Sequence, residues 1–246
     1  MVSWKIRSWV FTESNWPAWV KDRLWAPELH YVNGRYLVFF TGGGKNERLS
    51  SGVAVAQTQD PFGPYKDIGN PLISSPLSLG GAIDLHYFKD PVTGRDYLLW
   101  KSDKPLSLQP SLIYIRELHP SGTEFRVNIF NKMTQLKYPA LLHALQNIEH
   151  NFAQYFFQGK SRVLLRSNVK TILEERLVAE APWLMHKNGY YYLLYSSGWT
   201  HEPKYHIRVA RAKKVTGPYV RGKVPVVTTD WERYEKVKRY LFSMSN

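Results

Sequence analysis

Ala179-Glu180-Ala181-Pro182-Trp183-Leu184, then the turn Asn188-Gly189, then Tyr190-Tyr191-Tyr192-Leu193-Leu194-Tyr195: this stretch decides the fold, because the chain writes it three times. Upstream stand Trp25-Ala26-Pro27-Glu28-Leu29-His30-Tyr31, with Tyr36 to Phe40 behind it, and Ala82-Ile83-Asp84-Leu85-His86-Tyr87-Phe88, with Tyr97 to Trp100 behind it. Self-similarity of this kind marks a repeat architecture. It also puts Asp84 and Glu180 at related places in related units, so a symmetric scaffold would bring two carboxylates to one axis. Tyr36 and Tyr97 stand 61 residues apart, whereas Tyr97 and Tyr191 stand 94 apart. The longer interval contains residues 127–158, whose middle, Leu136 to Gln146, has a helical apolar spacing unlike its surroundings. Without those 32 residues the interval becomes 62 and the period is restored.

A period of this length with four short β segments per unit predicts a propeller blade. In the second unit the segments are Ala82–Phe88, Tyr97–Ser102, Leu112–Leu118 and a late strand near Val163–Arg166. Asn33-Gly34 and Asn188-Gly189 are hairpin turns. Asp60-Pro61-Phe62-Gly63-Pro64-Tyr65 and Val215-Thr216-Gly217-Pro218-Tyr219 repeat one another as loops between blades. Three whole units fit in a single domain over residues 1–246. Residues 1–24 read as the tail of an earlier unit and 224–246 as the opening of a later one, so an incomplete all-β propeller is expected.

Composition agrees. The 246 residues include 9 Trp, 16 Tyr and 11 Phe, which suit pleated, half-buried surfaces and also stack on sugar rings. With no cysteine, disulfides, a thiol nucleophile and a cysteine–zinc site are excluded. The formal charge of +13 is scattered along the chain and no nucleic-acid motif accompanies it, so no nucleic-acid partner is expected. No apolar run is long enough to span a bilayer, and Val2-Ser3-Trp4-Lys5-Ile6-Arg7 shows no signal-peptide core, which leaves the compartment open.

The ordered motifs Leu24 to Glu28, Gly34 to Phe40, Ile83-Asp84 with Tyr97 to Ser102, Val178 to Trp183 with Gly189 to Ser196, and Gly217-Pro218-Tyr219 resemble glycoside hydrolase family 43. That family consists of five-bladed β-propeller enzymes acting on arabinans and xylans. The resemblance spans nearly all of the chain outside 127–158. It implies an inverting glycosidase of the arabinofuranosidase, arabinanase or xylosidase type, with Glu180 as general acid and Asp84 as the residue that orients it and adjusts its pKa. Trp25, Ser102 and Ser196 would line the sugar site, with Asp103 beside them. The family's base, an early aspartate in an Asp-Pro context, has no counterpart here; Asp22 lacks that context. Leu85 stands where the family usually has Pro. The resemblance implies no cofactor, leaves room for a structural Ca²⁺ in the central channel, and makes an arabinan, arabinoxylan or xylan the partner.

The chemistry behind this assignment is general. A protonated carboxylic acid must supply the leaving oxygen with a proton, while a second carboxylate activates water on the opposite ring face. Burial and a like charge at Asp84 would keep Glu180 protonated to higher pH. Glu28 reads as structural, and His30 and His86 as a matched packing pair. Residues 127–158 are either a retained intron, since valine codons begin with GT and a glutamine codon can end in AG, or a natural loop carrying a helix. Two other functional classes stand beside the enzyme: a carbohydrate-binding or truncated propeller without the base, and a scaffold for protein contacts.

Overall fold

The computed structural model describes residues 3–44, 49–74, 81–103, 110–126, 161–167, 177–199 and 205–228. These residues form three antiparallel sheets, each a meander in sequence order. The first comprises β1 (Val20–Val32), β2 (Arg35–Gly44), β3 (Leu49–Ala56) and β4 (Tyr65–Asp67). The second comprises β5 (Gly81–Lys89), β6 (Asp96–Asp103), β7 (Leu112–Glu117) and β8 (Arg162–Arg166). The third runs β9 (Ala179–Lys187), β10 (Tyr190–Ser197), β11 (His206–Ala212) and β12 (Val220–Arg221), and β13 (Val227–Thr228) also pairs with β11. These are three blades of a β-propeller. The four segments expected in the second unit all appear, each within two residues of its expected ends.

Each sheet begins with a hairpin whose turn chemistry is local. Asn33-Gly34 and Asn188-Gly189 place both central residues at positive φ, 46° and 91° in one turn and 50° and 71° in the other. Such turns follow the twist of the flanking strands, and Asn and Gly adopt them at least cost. The Gly-Pro-Tyr loops match as well. Tyr65 donates its hydroxyl to the Pro61 carbonyl, and Tyr219 to the Val215 carbonyl. Past each loop the outer strand pairs twice with its neighbour. β3 takes β4 and then Ile73, and β11 takes β12 and then β13.

Alternation along the second strands explains the stacking, because successive side chains leave a strand on opposite faces. Leu37 and Phe39 of β2 join Leu98 and Trp100 of β6 in one apolar layer between the first two sheets. Tyr97 and Leu99 of β6 face the other way and meet Tyr191, Leu193 and Tyr195 of β10. The outer face of the first sheet, with Val38 and Phe40, is covered by Val10, Phe11 and Trp19. The blades therefore stack face to face, with β5 packed against both β1 and β9.

The expected insertion at 127–158 lies outside the described residues, but its flanks do not. Phe125 pairs with Leu118, and the Arg126 N–H donates to the Glu117 carbonyl at 3.0 Å. Arg162 pairs with Ile115 on the same edge of β7. A single rung, at Arg116, separates the two flanks.

Candidate active site at the hub

The inner strand of every blade carries the same irregularity. Between Trp25 and Glu28, between Ile83 and His86, and between Glu180 and Trp183, the inner strand has one residue more than its partner. In each, the second residue is left-handed: Ala26 at φ 46°, Asp84 at 57° and Ala181 at 47°. Non-glycine residues pay for that conformation, and it concentrates at functional sites. Pro27 and Pro182 are tolerated here because a bulge spares their missing N–H from the ladder.

The bulge also corrects the equivalence read from sequence. Trp25, Ile83 and Glu180 correspond, as do Ala26, Asp84 and Ala181, so the two carboxylates are displaced from each other by one position. That displacement joins them. Asp84 Oδ2 accepts the Ala181 N–H at 3.0 Å, which fixes the backbone next to Glu180. His30 and His86 are likewise not equivalent, since His86 corresponds to Glu28 and Trp183. These three residues meet in sequence: Glu28 Oε1 lies 2.8 Å from His86 Nδ1, and the His86 and Trp183 rings are 4.5 Å apart. Contact between corresponding residues of successive blades is the signature of a common axis.

Glu180 is held on both oxygens. Lys101 Nζ donates to Oε2 at 2.8 Å, and the Tyr205 hydroxyl donates to Oε1 at 2.9 Å. The side chains of Lys101 and Glu180 are only 9% and 15% exposed, so the pair is largely shielded from solvent. Lys101 reaches the site from the rung opposite Ile83 on β6, and Tyr205 from the residue before β11. Burial raises the Tyr205 hydroxyl above its ordinary range, a Ser196 hydrogen bond opposes this, and the Glu180 and Asp84 charges add to it. Tyr205 therefore stays a neutral phenol able to donate.

The remaining expected residues divide. Trp25, which corresponds to Glu180 two blades earlier, is 45% exposed, with the Arg23 guanidinium 6.0 Å from its ring. Ser196 is the rung partner of Glu180 and hydrogen-bonds Tyr205. Ser102 is buried, and its Oγ accepts the Leu112 N–H at 3.0 Å. The Asp103 side chain lies outside the described residues. Asp22 is paired with Arg23 at 2.7 Å. Glu28 accepts from both histidines, each at 2.8 Å, and from the Tyr87 N–H at 3.0 Å. Burial pushes its carboxyl up, but those hydrogen bonds and the His86 charge outweigh burial and hold it at about 2. Among the described residues no group of three or more His, Asp or Glu side chains is placed to hold a metal ion. No helix among them is long and apolar enough to cross a membrane.

Lys101 and Tyr205 were not singled out from sequence. A lysine directly behind an apolar run, as in Tyr97-Leu98-Leu99-Trp100-Lys101, is a usable signal, because lysine is seldom buried without a partner. Tyr205 carries no such mark.

The family model for glycosyl hydrolases family 43 matches residues 1–240. The extracellular exo-alpha-(1->5)-L-arabinofuranosidase ArbA of Cellvibrio japonicus (strain Ueda107) is 25% identical over 233 residues, covering 89% of this chain and 57% of the relative. Xylosidase/arabinosidase 43A of Humicola insolens is 26% identical over 74% of this chain and 53% of its own length. The chain thus spans about half the length of the curated relatives it matches. The crystal structure of a thermostable family-43 glycoside hydrolase superposes with a TM-score of 0.66 at 20% identity, covering 88% of this chain and 59% of that one. At that identity the likeness is one of fold.

Proposed function

The chain belongs to glycosyl hydrolases family 43, and on that premise we propose that its hub hydrolyses glycosidic bonds of arabinose- or xylose-containing glycans. Glu180 is the general acid, and Asp84 positions it through the Ala181 N–H. The observation that carries this reading is the placement of Glu180: a largely buried carboxyl on the innermost strand, gripped on both oxygens, beside a backbone that a second carboxylate fixes. Exposed Trp25, in the corresponding position of the first blade, offers an aromatic face for a sugar ring. The names of relatives that act on arabinofuranosides and xylosides point to the same substrate class.

The reaction so written needs no cofactor. The acid passes its proton to the glycosidic oxygen as the bond to the anomeric carbon breaks, and water attacks from the opposite face. In the inverting arrangement the activating carboxylate stands roughly 6.5–9.5 Å from the acid. Among the described residues that role is assigned to none, since Asp22 is paired with Arg23 and Glu28 with two histidines. This favours one second reading, a hub that binds the glycan without turning it over.

Incubation with arabino- and xylo-oligosaccharides, followed by ¹H NMR of the first-formed anomer, tests the proposal. Release of the inverted sugar is expected. A retained anomer contradicts the mechanism. Binding by calorimetry without release supports the second reading.

A further inference from the structure

Glu180 has neighbours on both oxygens, and only one of them can exchange roles when the acid is protonated. An ammonium has three N–H donors and no acceptor, whereas a phenol both donates and accepts. Lys101, 2.8 Å from Oε2, can therefore only donate, and its charge favours the carboxylate over the protonated acid. Tyr205 donates to Oε1 at 2.9 Å and is itself hydrogen-bonded to Ser196, so the chain Ser196–Tyr205–Glu180 can run in either direction. Lys101 sits on the second strand of one blade and Tyr205 at the third strand of the next, so the grip spans the blade boundary.

We propose, building on Glu180 as the general acid, that Lys101 is a positioning residue that fixes the acid's Oε2 and stabilises the carboxylate left when its proton is transferred. Tyr205 keeps Oε1 hydrogen-bonded in both states. The step balances within the site. The Glu180 O–H bond breaks, its proton goes to the glycosidic oxygen, and the carbon–oxygen bond electrons stay with the leaving alcohol. Water forms the new bond to the anomeric carbon and gives its surplus proton to solvent, and the new negative charge on Glu180 faces Lys101.

The test compares Lys101→Met, Lys101→Arg, Tyr205→Phe and Glu180→Gln with the unaltered chain on two arabinofuranosides. One has a 2,4-dinitrophenol leaving group, which departs without a proton; the other has a sugar alcohol, which does not. Lys101→Met should lower kcat/KM on the second at least about 100-fold, in the range general acid catalysis supplies, with less than about threefold change on the first. Lys101→Arg, which keeps the charge, should recover most of the loss, and Tyr205→Phe should fall between them. Equal losses on both substrates would make Lys101 merely structural and overturn the inference. If Glu180→Gln shows no dependence on the leaving group, the acid assignment itself fails. The ¹³Cδ resonance of Glu180, assigned through Glu180→Gln, reports the pair without turnover. It should move in Lys101→Met and return in Lys101→Arg, and an unmoved line overturns the pairing.

Discussion

Glu28 shows how neighbours settle what a carboxylate does. It belongs to the same family of inner-strand acids as Asp84 and Glu180, yet two histidines and a backbone N–H occupy its oxygens. Its carboxyl, ordinarily near 4.5, is held at about 2. The sign follows from that lowering: the stabilisation is complete above the ordinary value and is lost as pH falls through the folded one. Urea unfolding between pH 5 and pH 2 should therefore show the protein losing on the order of 2–3 kcal/mol from this group. Glu28→Gln should begin less stable at neutral pH and lack that part of the acid loss; an unchanged profile would contradict the assignment. At this scale the sequence displayed Glu180 and Asp84 through their motifs, and Glu28 as a structural acid. It did not display the grip on Glu180, because Lys101 and Tyr205 lie 79 residues before it and 25 after it. Contacts of that separation exist only once the blades stack.

Among the elements, the inner strands were legible by motif and the hairpins by their Asn-Gly turns. The bulges were not, and the cost was an equivalence one residue out of step. Period-2 patterning reports faces, whereas a bulge is a local surplus that only the partner strand reveals. The outer strand of the second blade is the element where sequence spacing and register meet. The spacing set the surplus at 127–158, and the register leaves one rung between Arg126 and Arg162. Joining Arg126 directly to Ser161 should give one continuous edge strand. A chain so shortened is expected to keep its far-ultraviolet circular dichroism and a thermal midpoint within about 4 °C of the full chain, equivalent to about 1 kcal/mol at this size. Loss of a cooperative melt would show that the blade depends on the removed residues.

Across the whole molecule, the blades are held by apolar layers and pinned by a few buried polar ties. Asp90, fully buried in the Asp90-Pro91-Val92-Thr93-Gly94 turn, accepts from Val92, Thr93 and, across the blade boundary, the Tyr191 hydroxyl at 2.8 Å. Tyr191→Phe should cost about 1–2 kcal/mol in urea unfolding, since it takes one donor from a buried carboxylate. Asn33 makes the corresponding tie between the first two blades, donating to Asp96 and to the Pro120 carbonyl. Rotational repetition is also what gathers residues from positions 84, 101, 180 and 205 into one place. The proposed role of this hub is to cut a glycan. A crystal structure of Glu180→Gln with an arabino- or xylo-oligosaccharide tests it most directly. The expected result is a glycosidic oxygen within about 3 Å of the residue 180 side chain, hydrogen-bonding distance for proton transfer, with a sugar ring against Trp25. Sugar bound away from the hub, or seated there with residue 180 out of reach of any glycosidic oxygen, would contradict it.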